Sequence, residues 1–337
     1  YVLLAVIKGT DYIKQSSVIK NGITISYFDG VVPVAYNGST TKADWYSADV
    51  AVTADGYTVC DSVNGTYAES FLLSGEGEVS KTLYFKQIET GYITDEKTIT
   101  VGIDKTAPAF SADTDGITIS DNNWKGFLNS ITFGHFFKEN NDVSISATDS
   151  GSGVNKYYYY IDAGSTTVKT ADELDALSFT EGSNFSIADE NKYIIYAYAV
   201  DLAGNKSTYI CTDGIVLDKT APTVTLTAPT GSDLGDVSGK AKVQMNETGT
   251  ITYVISTIDD SEMSLQDILE DATKKTLSVT ASQAGTELEI PISGLTANTT
   301  YFMYLFGTDT AENQSNIRIR SFTTTKTQPM FTANPTI

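Results

Sequence analysis

The stretch Ile103-Asp104-Lys105-Thr106-Ala107-Pro108 returns as Leu217-Asp218-Lys219-Thr220-Ala221-Pro222, 114 residues later counted from Asp104 to Asp218. A chain that repeats itself at that interval is a series of domains, each with its own core, and not one compact body. The proline of each copy fixes its own φ and drives the alanine before it into an extended state. The repeated segment therefore reads as a short, stiff connector from the last strand of one domain to the first strand of the next.

A second pair of segments says what those domains are made of. Asp201-Leu202-Ala203-Gly204-Asn205-Lys206-Ser207 matches Asp309-Thr310-Ala311-Glu312-Asn313-Gln314-Ser315, and each copy follows an aromatic alternating run, Tyr193 to Val200 and Tyr301 to Gly307. A long period-two run that turns sharply at Asp, Gly and Asn into a further strand is the penultimate hairpin of a β-sandwich. Asp142 to Asp149 also alternates, and Ser150-Gly151-Ser152-Gly153-Val154 turns it into the run Tyr157 to Asp162. With 20 Tyr and 14 Phe and no long helical pattern, the chain is expected to be all-β, with helix only near Ala171 to Ala176 and Ser264 to Ala272.

The boundaries follow: residues 1–104, 105–218 and 219–325 form three domains, and residues 326–337 form a linker or tail. Tyr1 to Ile25 can alternatively be laid on Tyr193 to Leu217, which makes the first 25 residues the closing strands of a preceding repeat. The apolar opening Tyr1 to Ile7 has strand length and no basic leader, so it is not a signal peptide. No apolar run of about 18 residues is present, and no membrane insertion is expected in this segment. The chain reads as starting and stopping inside a larger protein.

Acidic residues outnumber basic ones 42 to 22, a formal charge of −20, which repels nucleic acid and anionic lipid. The two cysteines, Cys60 and Cys211, fall in different domains, so no disulfide scaffold is expected. The single histidine, His135, lies in the aromatic run Phe133 to Phe137 and would have to supply any nucleophilic or zinc site alone. Two carboxylates suffice for glycoside hydrolysis, but small tandem sandwiches lack the walled cleft that tunes one of them. No enzyme and no catalytic residue are expected. No cofactor is required, and calcium is the one that the side chains could hold: the junction acids Asp104 and Asp218, the turn acids Asp149 and Asp201, and Asn205 bring hard oxygens near the domain ends. The same residues also suit turns through side-chain hydrogen bonds. Along the tyrosine run, Tyr157 and Tyr159 face one side of the sheet, and Tyr158 and Tyr160 the other. Tyr158 and Tyr160, with Trp45 and Trp124, are candidates for stacking on sugar rings, against the plainer alternative of cross-strand packing.

Two resemblances rest on these residues. Residues 124–222, with the Gly-Ser-Gly-Val turn, the Asp-x-Ala-Gly-Asn hairpin and the Asp-Lys-Thr-Ala-Pro junction, resemble bacterial immunoglobulin-like repeats. The first unit keeps Trp45, Asp49 to Thr53 and the junction but lacks the turn and the hairpin. The third, with Gly294-Leu295 running to Thr299-Thr300-Tyr301, resembles a fibronectin type III domain in which Leu295 plugs the sandwich edge. The resemblance implies tandem immunoglobulin-like and fibronectin III-like sandwiches in an elongated array, likened to Gram-positive surface and secreted proteins. It implies a non-catalytic, extracellular spacer or adhesion region, monomeric and displayed at the cell surface or cell wall. The alternatives are a module binding host or environmental glycans or surface proteins, or the accessory region of a secreted carbohydrate-active enzyme.

Overall fold

The computed structural model describes residues 18–20, 23–25, 34–37, 45–110, 116–120 and 122–327. The expectations for Tyr1 to Ile7 and for residues 328–337 fall outside them. Of the segment 1–25, only a short hairpin of β1 (Val18–Lys20) and β2 (Ile23–Ile25) is described.

The first sandwich comprises β3 (Val34–Asn37), β4 (Trp45–Tyr46), β5 (Val50–Ala54), β6 (Tyr57–Cys60), β7 (Phe71–Leu73), β8 (Gly77–Gln87) and β9 (Lys97–Ile103). They form one sheet of order β3-β5-β7 and another of order β4-β9-β8-β6. Period-two alternation decides the faces: Val50, Val52 and Ala54 on β5, and Ile99, Val101 and Ile103 on β9, point into one core around Leu83 and Phe85. Each fully buried Leu or Phe contributes about 1.5–3 kcal/mol relative to exposure.

The second sandwich comprises β10 (Gly116–Ile119), β11 (Asn122–Trp124), β12 (His135–Phe137), β13 (Asn141–Ser146), β14 (Val154–Ala163), α1 (Ala171–Asp175), β15 (Thr180–Glu181), β16 (Asn184–Ile187), β17 (Asn191–Asp201), β18 (Ile210–Cys211) and β19 (Ile215–Leu217). Its sheets run β11-β10-β13-β16 and β12-β19-β17-β14-β15, with β18 also on β17. The third comprises β20 (Val224–Thr227), β21 (Ser238–Met245), β22 (Gly249–Ser256), α2 (Leu265–Glu270), β23 (Lys275–Val279), β24 (Leu288–Ser293), β25 (Thr300–Asp309) and β26 (Arg318–Thr323). Its sheets run β20-β21-β24 and β23-β22-β25-β26. The protein is a series of β-sandwiches.

The central strands β17 and β25 are apolar on both faces, and the structure shows why. Tyr193, Ile195, Ala197 and Ala199 enter the main core of the second sandwich, while Ile194 and Tyr196 enter a smaller core on the outer face, beneath Leu174 of α1. In the third sandwich Val254, Tyr304 and Phe306 are covered likewise by Ile268 of α2. Each short helix opens on a capping box, Thr170 with Glu173 and Ser264 with Asp267, which satisfies its first amides. The outer face carrying Tyr160 is therefore partly packed. At the start of β17 and β25, Tyr193 donates its hydroxyl to the carbonyl of Asp189, and the hydroxyl of Tyr301 accepts the N–H of Thr296. Both resemble the tyrosine corner that fixes the crossing from one sheet to the other. Leu295 packs on the edge of the third core. Among the described residues no helix is long and apolar enough to cross a membrane.

Candidate functional site

Two clusters of carboxylates stand where one sandwich hands the chain to the next. Asp104, directly after β9, is fully buried. Its N–H donates to the carbonyl of Tyr46. Its Oδ1 accepts the N–H of Thr106 at 3.0 Å and its Oδ2 that of Ser152 at 2.6 Å, so the last acid of the first sandwich also caps a loop of the second. The carbonyl oxygen of Asp104 accepts the side-chain amide of Asn205 at 2.8 Å.

Asp201, also fully buried, ends β17 and organises the turn that presents Asn205. Its Oδ1 accepts the amides of Gly204 and Asn205 at 2.6 and 2.7 Å, and its Oδ2 accepts Asn205 Nδ2 at 2.7 Å. Asp149 comes from the loop between β13 and β14. Its Oδ2 accepts the N–H of Gly153 at 2.5 Å, and its Oδ1 is buried with no hydrogen-bond partner. Asp104, Asp149 and Asp201 each bring an oxygen within 4.8 Å of the others. Two full charges at such a separation repel by roughly 3 kcal/mol at an effective dielectric constant of about 20. Burial, and then the charges of Asp104 and Asp201, push the Asp149 carboxyl above its usual range against the Gly153 amide. Burial pushes Asp104 the same way, but the donors from Ser152 and Thr106 outweigh it and hold that carboxyl below the usual range.

The second junction repeats the plan. Asp218 N–H donates to the carbonyl of Phe137, its Oδ1 accepts the N–H of Thr220 at 3.1 Å, and its carbonyl accepts Asn313 Nδ2 at 2.8 Å. Asp309 holds Asn313 through both carboxylate oxygens at 2.9 Å. Glu247, from the loop between β21 and β22, completes a triad with Asp218 and Asp309 within 4.8 Å. Burial, then Asp218 and Asp309, raise its pKa. Each junction is also gripped from the preceding sandwich. Glu76 accepts Lys105 N–H at 3.0 Å and the Thr106 hydroxyl at 3.1 Å, and Glu190 accepts Lys219 N–H at 2.6 Å and the Thr220 hydroxyl at 2.8 Å.

The five oxygen-bearing residues singled out in the sequence thus divide between two places: Asp104, Asp149, Asp201 and Asn205 at the first junction, and Asp218 at the second. Asn205 turns its amide nitrogen to the acids and acts as a donor, so its nitrogen bridges where an oxygen ligand was expected. The orphaned Asp149 oxygen and the three converging charges fit a hard divalent cation. Asp201 Oδ1 already accepts two amides, but Asp104 Oδ2, Asp149 Oδ2 and Asp201 Oδ2 each accept one N–H and keep a second lone pair for it. The sequence did not single out Glu247, Glu76 or Glu190, and it marked Asp309 only as the repeat of the Asp201 turn. The signal for Glu76 and Glu190 was their separation of 114 residues, the period of the junction itself.

The candidate sugar-stacking residues are scattered. Trp124 is buried in the second core, edge-on to His135 with centroids 5.3 Å apart, so it offers no ring face to a ligand. Trp45 lies over Gly102, where an added Cβ would meet its ring at 2.5 Å. Tyr158 stacks on Tyr198 at 4.9 Å, whereas Tyr160 packs into the outer core near Phe179. Cys60 and Cys211 are buried free thiols, and burial pushes the Cys211 thiol up.

No protein-family profile matches the chain, and a search of curated proteins finds no match. Among solved structures, it is similar to the chicken CNTN1 FN1-FN3 domains, at 11% identity and a TM-score of 0.26 over 88% of this chain and 99% of that one. A two-domain fibronectin type III segment from chicken tenascin gives 10% identity and a TM-score of 0.28, over 65% and 100%. The Clostridium thermocellum CbhA fibronectin(III)-like modules give 13% and 0.29, over 62% and 94%.

Proposed function

We propose that this chain is a non-catalytic spacer and adhesion region of a large bacterial surface protein, displayed outside the cell in association with the cell wall. One observation carries the reading: the side chain of Asn205 in the second sandwich is bonded to the main chain of Asp104 at the end of the first, and Asn313 repeats the bond to Asp218 at the same 2.8 Å. A flexible linker leaves such a carbonyl to water. Here the connector is held from both sides, by Glu76 before it and by Ser152 and Asn205 after it, which restricts the angle between neighbours. Function then resides in reach and stiffness, and a distal binding module is held away from the surface.

Each acid triad is proposed to take a divalent cation, with Asp104, Asp149 and Asp201 holding the first and Asp218, Glu247 and Asp309 the second. Calcium suits all-oxygen donors that leave room for water ligands. When bound, it would supply the positive charge that the triads lack and tie two loops of one sandwich to the last residue of the other. Small-angle scattering of the whole chain, with calcium and with chelator, tests both parts. An elongated particle that becomes shorter and more variable in chelator is expected. An elongated particle indifferent to chelator removes the cation and keeps the spacer, and a collapsed particle in both conditions overturns the spacer.

A further inference from the structure

The third sandwich differs from the other two at one sheet edge. In the first, β9 is flanked by β8 on one side and on the other by the short parallel strand β4, with Trp45 opposite Gly102 and Tyr46 opposite Ile103. In the second, β19 is flanked by β17 and by the parallel β12, with His135, Phe136 and Phe137 opposite Ile215, Val216 and Leu217. Twice, then, the fold covers the outer edge of its last strand with an aromatic segment of its own chain. In the third sandwich β26 pairs with β25, and no described strand covers its other edge.

Among the described residues no strand pairs with that edge, and β20 runs beside its start, where Arg318 meets Val224. Edge strands are usually blunted by brevity, proline, a bulge, a covering segment or charged side chains, and β26 carries only the last. β26 has six residues, none of them proline, in unbroken register with β25, whereas the equally long edge strand β24 carries Pro291. Residues 318–321 are all exposed. The chain has only two arginines, and both are on this strand, at Arg318 and Arg320. Alternation puts them on the same side as buried Phe322, along the rim between the two sheets, the side from which Tyr46 enters the core of the first sandwich. Arg318 Nε donates to the carbonyl of Val224 across that rim at 2.8 Å, and Arg320 reaches only the carbonyl of its neighbour Ile319. Among the described residues neither guanidinium meets a carboxylate.

We propose that the free edge of β26 is a docking site for an extended acidic peptide, which adds as a further strand with carboxylates at alternate positions against Arg318 and Arg320. Main-chain pairing supplies the affinity, as in other strand additions, and the two forks select carboxylates spaced two residues apart. A second copy of the chain is disfavoured as occupant in the antiparallel registers centred on Ile319 or Arg320, which set arginines against arginines.

The test uses the whole chain and a fluorescent, end-blocked peptide Thr-Glu-Val-Glu-Val-Thr, followed by anisotropy. Saturable binding is expected below about 1 mM. It should weaken by about tenfold or more when alternate peptide amides are N-methylated, or when both glutamates become lysines. Amide exchange should slow along β26 and not along β24. Arg320→Glu should weaken binding by about the same factor at an unchanged melting temperature. It is preferred to changing Arg318, whose bond to Val224 also closes the sandwich. Lack of saturable binding by the folded chain overturns the proposal. So does binding that tolerates N-methylation, which would be charge attraction without strand addition, or concentration-dependent dimerisation that the peptide does not compete with.

Discussion

The hydroxyl of Tyr196 accepts the backbone N–H of Lys169 at 2.9 Å, and thereby fastens the loop that leads into α1 to the centre of the sheet. Tyr304, 108 residues later, accepts the N–H of Asp260 at 2.7 Å and does the same ahead of α2. Burial pushes the Tyr196 phenol up to about 12, so it stays protonated across the physiological range. Tyr196→Phe keeps the ring in the outer core but leaves a part-buried N–H without a partner, at a cost of about 1–3 kcal/mol. Hydrogen exchange should accelerate at the amides of α1 and not at those of α2, and Tyr304→Phe should produce the reverse. Uniform acceleration in both helices would count against this local account.

Asn205→Ala removes the bond to Asp104 and the one to Asp201 Oδ2, and leaves a buried carboxylate short of a donor. A loss of about 1–3 kcal/mol is expected in the second sandwich. The larger effect should be geometric, as a wider spread of inter-domain distances by scattering or by paired spin labels on the first and second sandwiches. Destabilisation with an unchanged distance distribution would confine Asn205 to turn formation.

Asp149 makes the first triad sensitive to pH. Its folded pKa is raised, so the folded chain takes up a proton at a higher pH than the unfolded chain does. Stability from this group is therefore fully present below the unfolded value of about 3.9 and is lost as pH rises through the folded value. Asp104 runs the other way, since its lowered pKa gives stability above the unfolded value that disappears as pH falls through the folded one. Asp149→Asn isolates the first effect. In chelator at pH 7 the variant should melt above the parent protein, and the gap should narrow as pH falls through the folded value of Asp149. With calcium the parent should gain and the variant gain less. A gap independent of both pH and calcium would dismiss the repulsion among the three acids.

The junctions were legible because their chemistry is written in consecutive letters. Asp104 to Pro108 and Asp218 to Pro222 are the same words, the turns at Asp201 and Asp309 share Asp, Ala, Asn and Ser at matching places, and β17 and β25 were plain as aromatic runs. Glu247 was hidden because it sits where the second sandwich has Asp149 but in a loop that shares no motif with it, and only the meeting of three segments in space brings it to Asp218. Trp124 was left open between stacking and packing for a related reason. Its pairing with Ile117 across a tight hairpin turns it inward, and nothing in Asn122-Asn123-Trp124 reveals that face. The outer cores under α1 and α2 were likewise invisible, since Phe127 to Phe133 has no period of its own and is apolar only to cover Ile194 and Tyr196.

Gly151 gives the sharpest test of contact between the first two sandwiches. It does not use a positive φ, so space alone decides what a side chain there would do. A Cβ added at Gly151 would lie 2.5 Å from Cγ, Oδ1 and Oδ2 of Asp104. That carboxylate cannot swing away cheaply, because Thr106 and Ser152 hold it and it has no exposed surface. Gly151→Ala should therefore cost about 1–3 kcal/mol through overpacking, paid as displacement of the loop from the junction. Asp104→Ala removes the obstructing group and is destabilising by itself, since it strips two loop amides of their acceptor. Combined with it, Gly151→Ala should cost little more, giving a coupling of about 1 kcal/mol or greater in a double-mutant cycle. Additive costs would mean that the loop and Asp104 do not press on one another in solution.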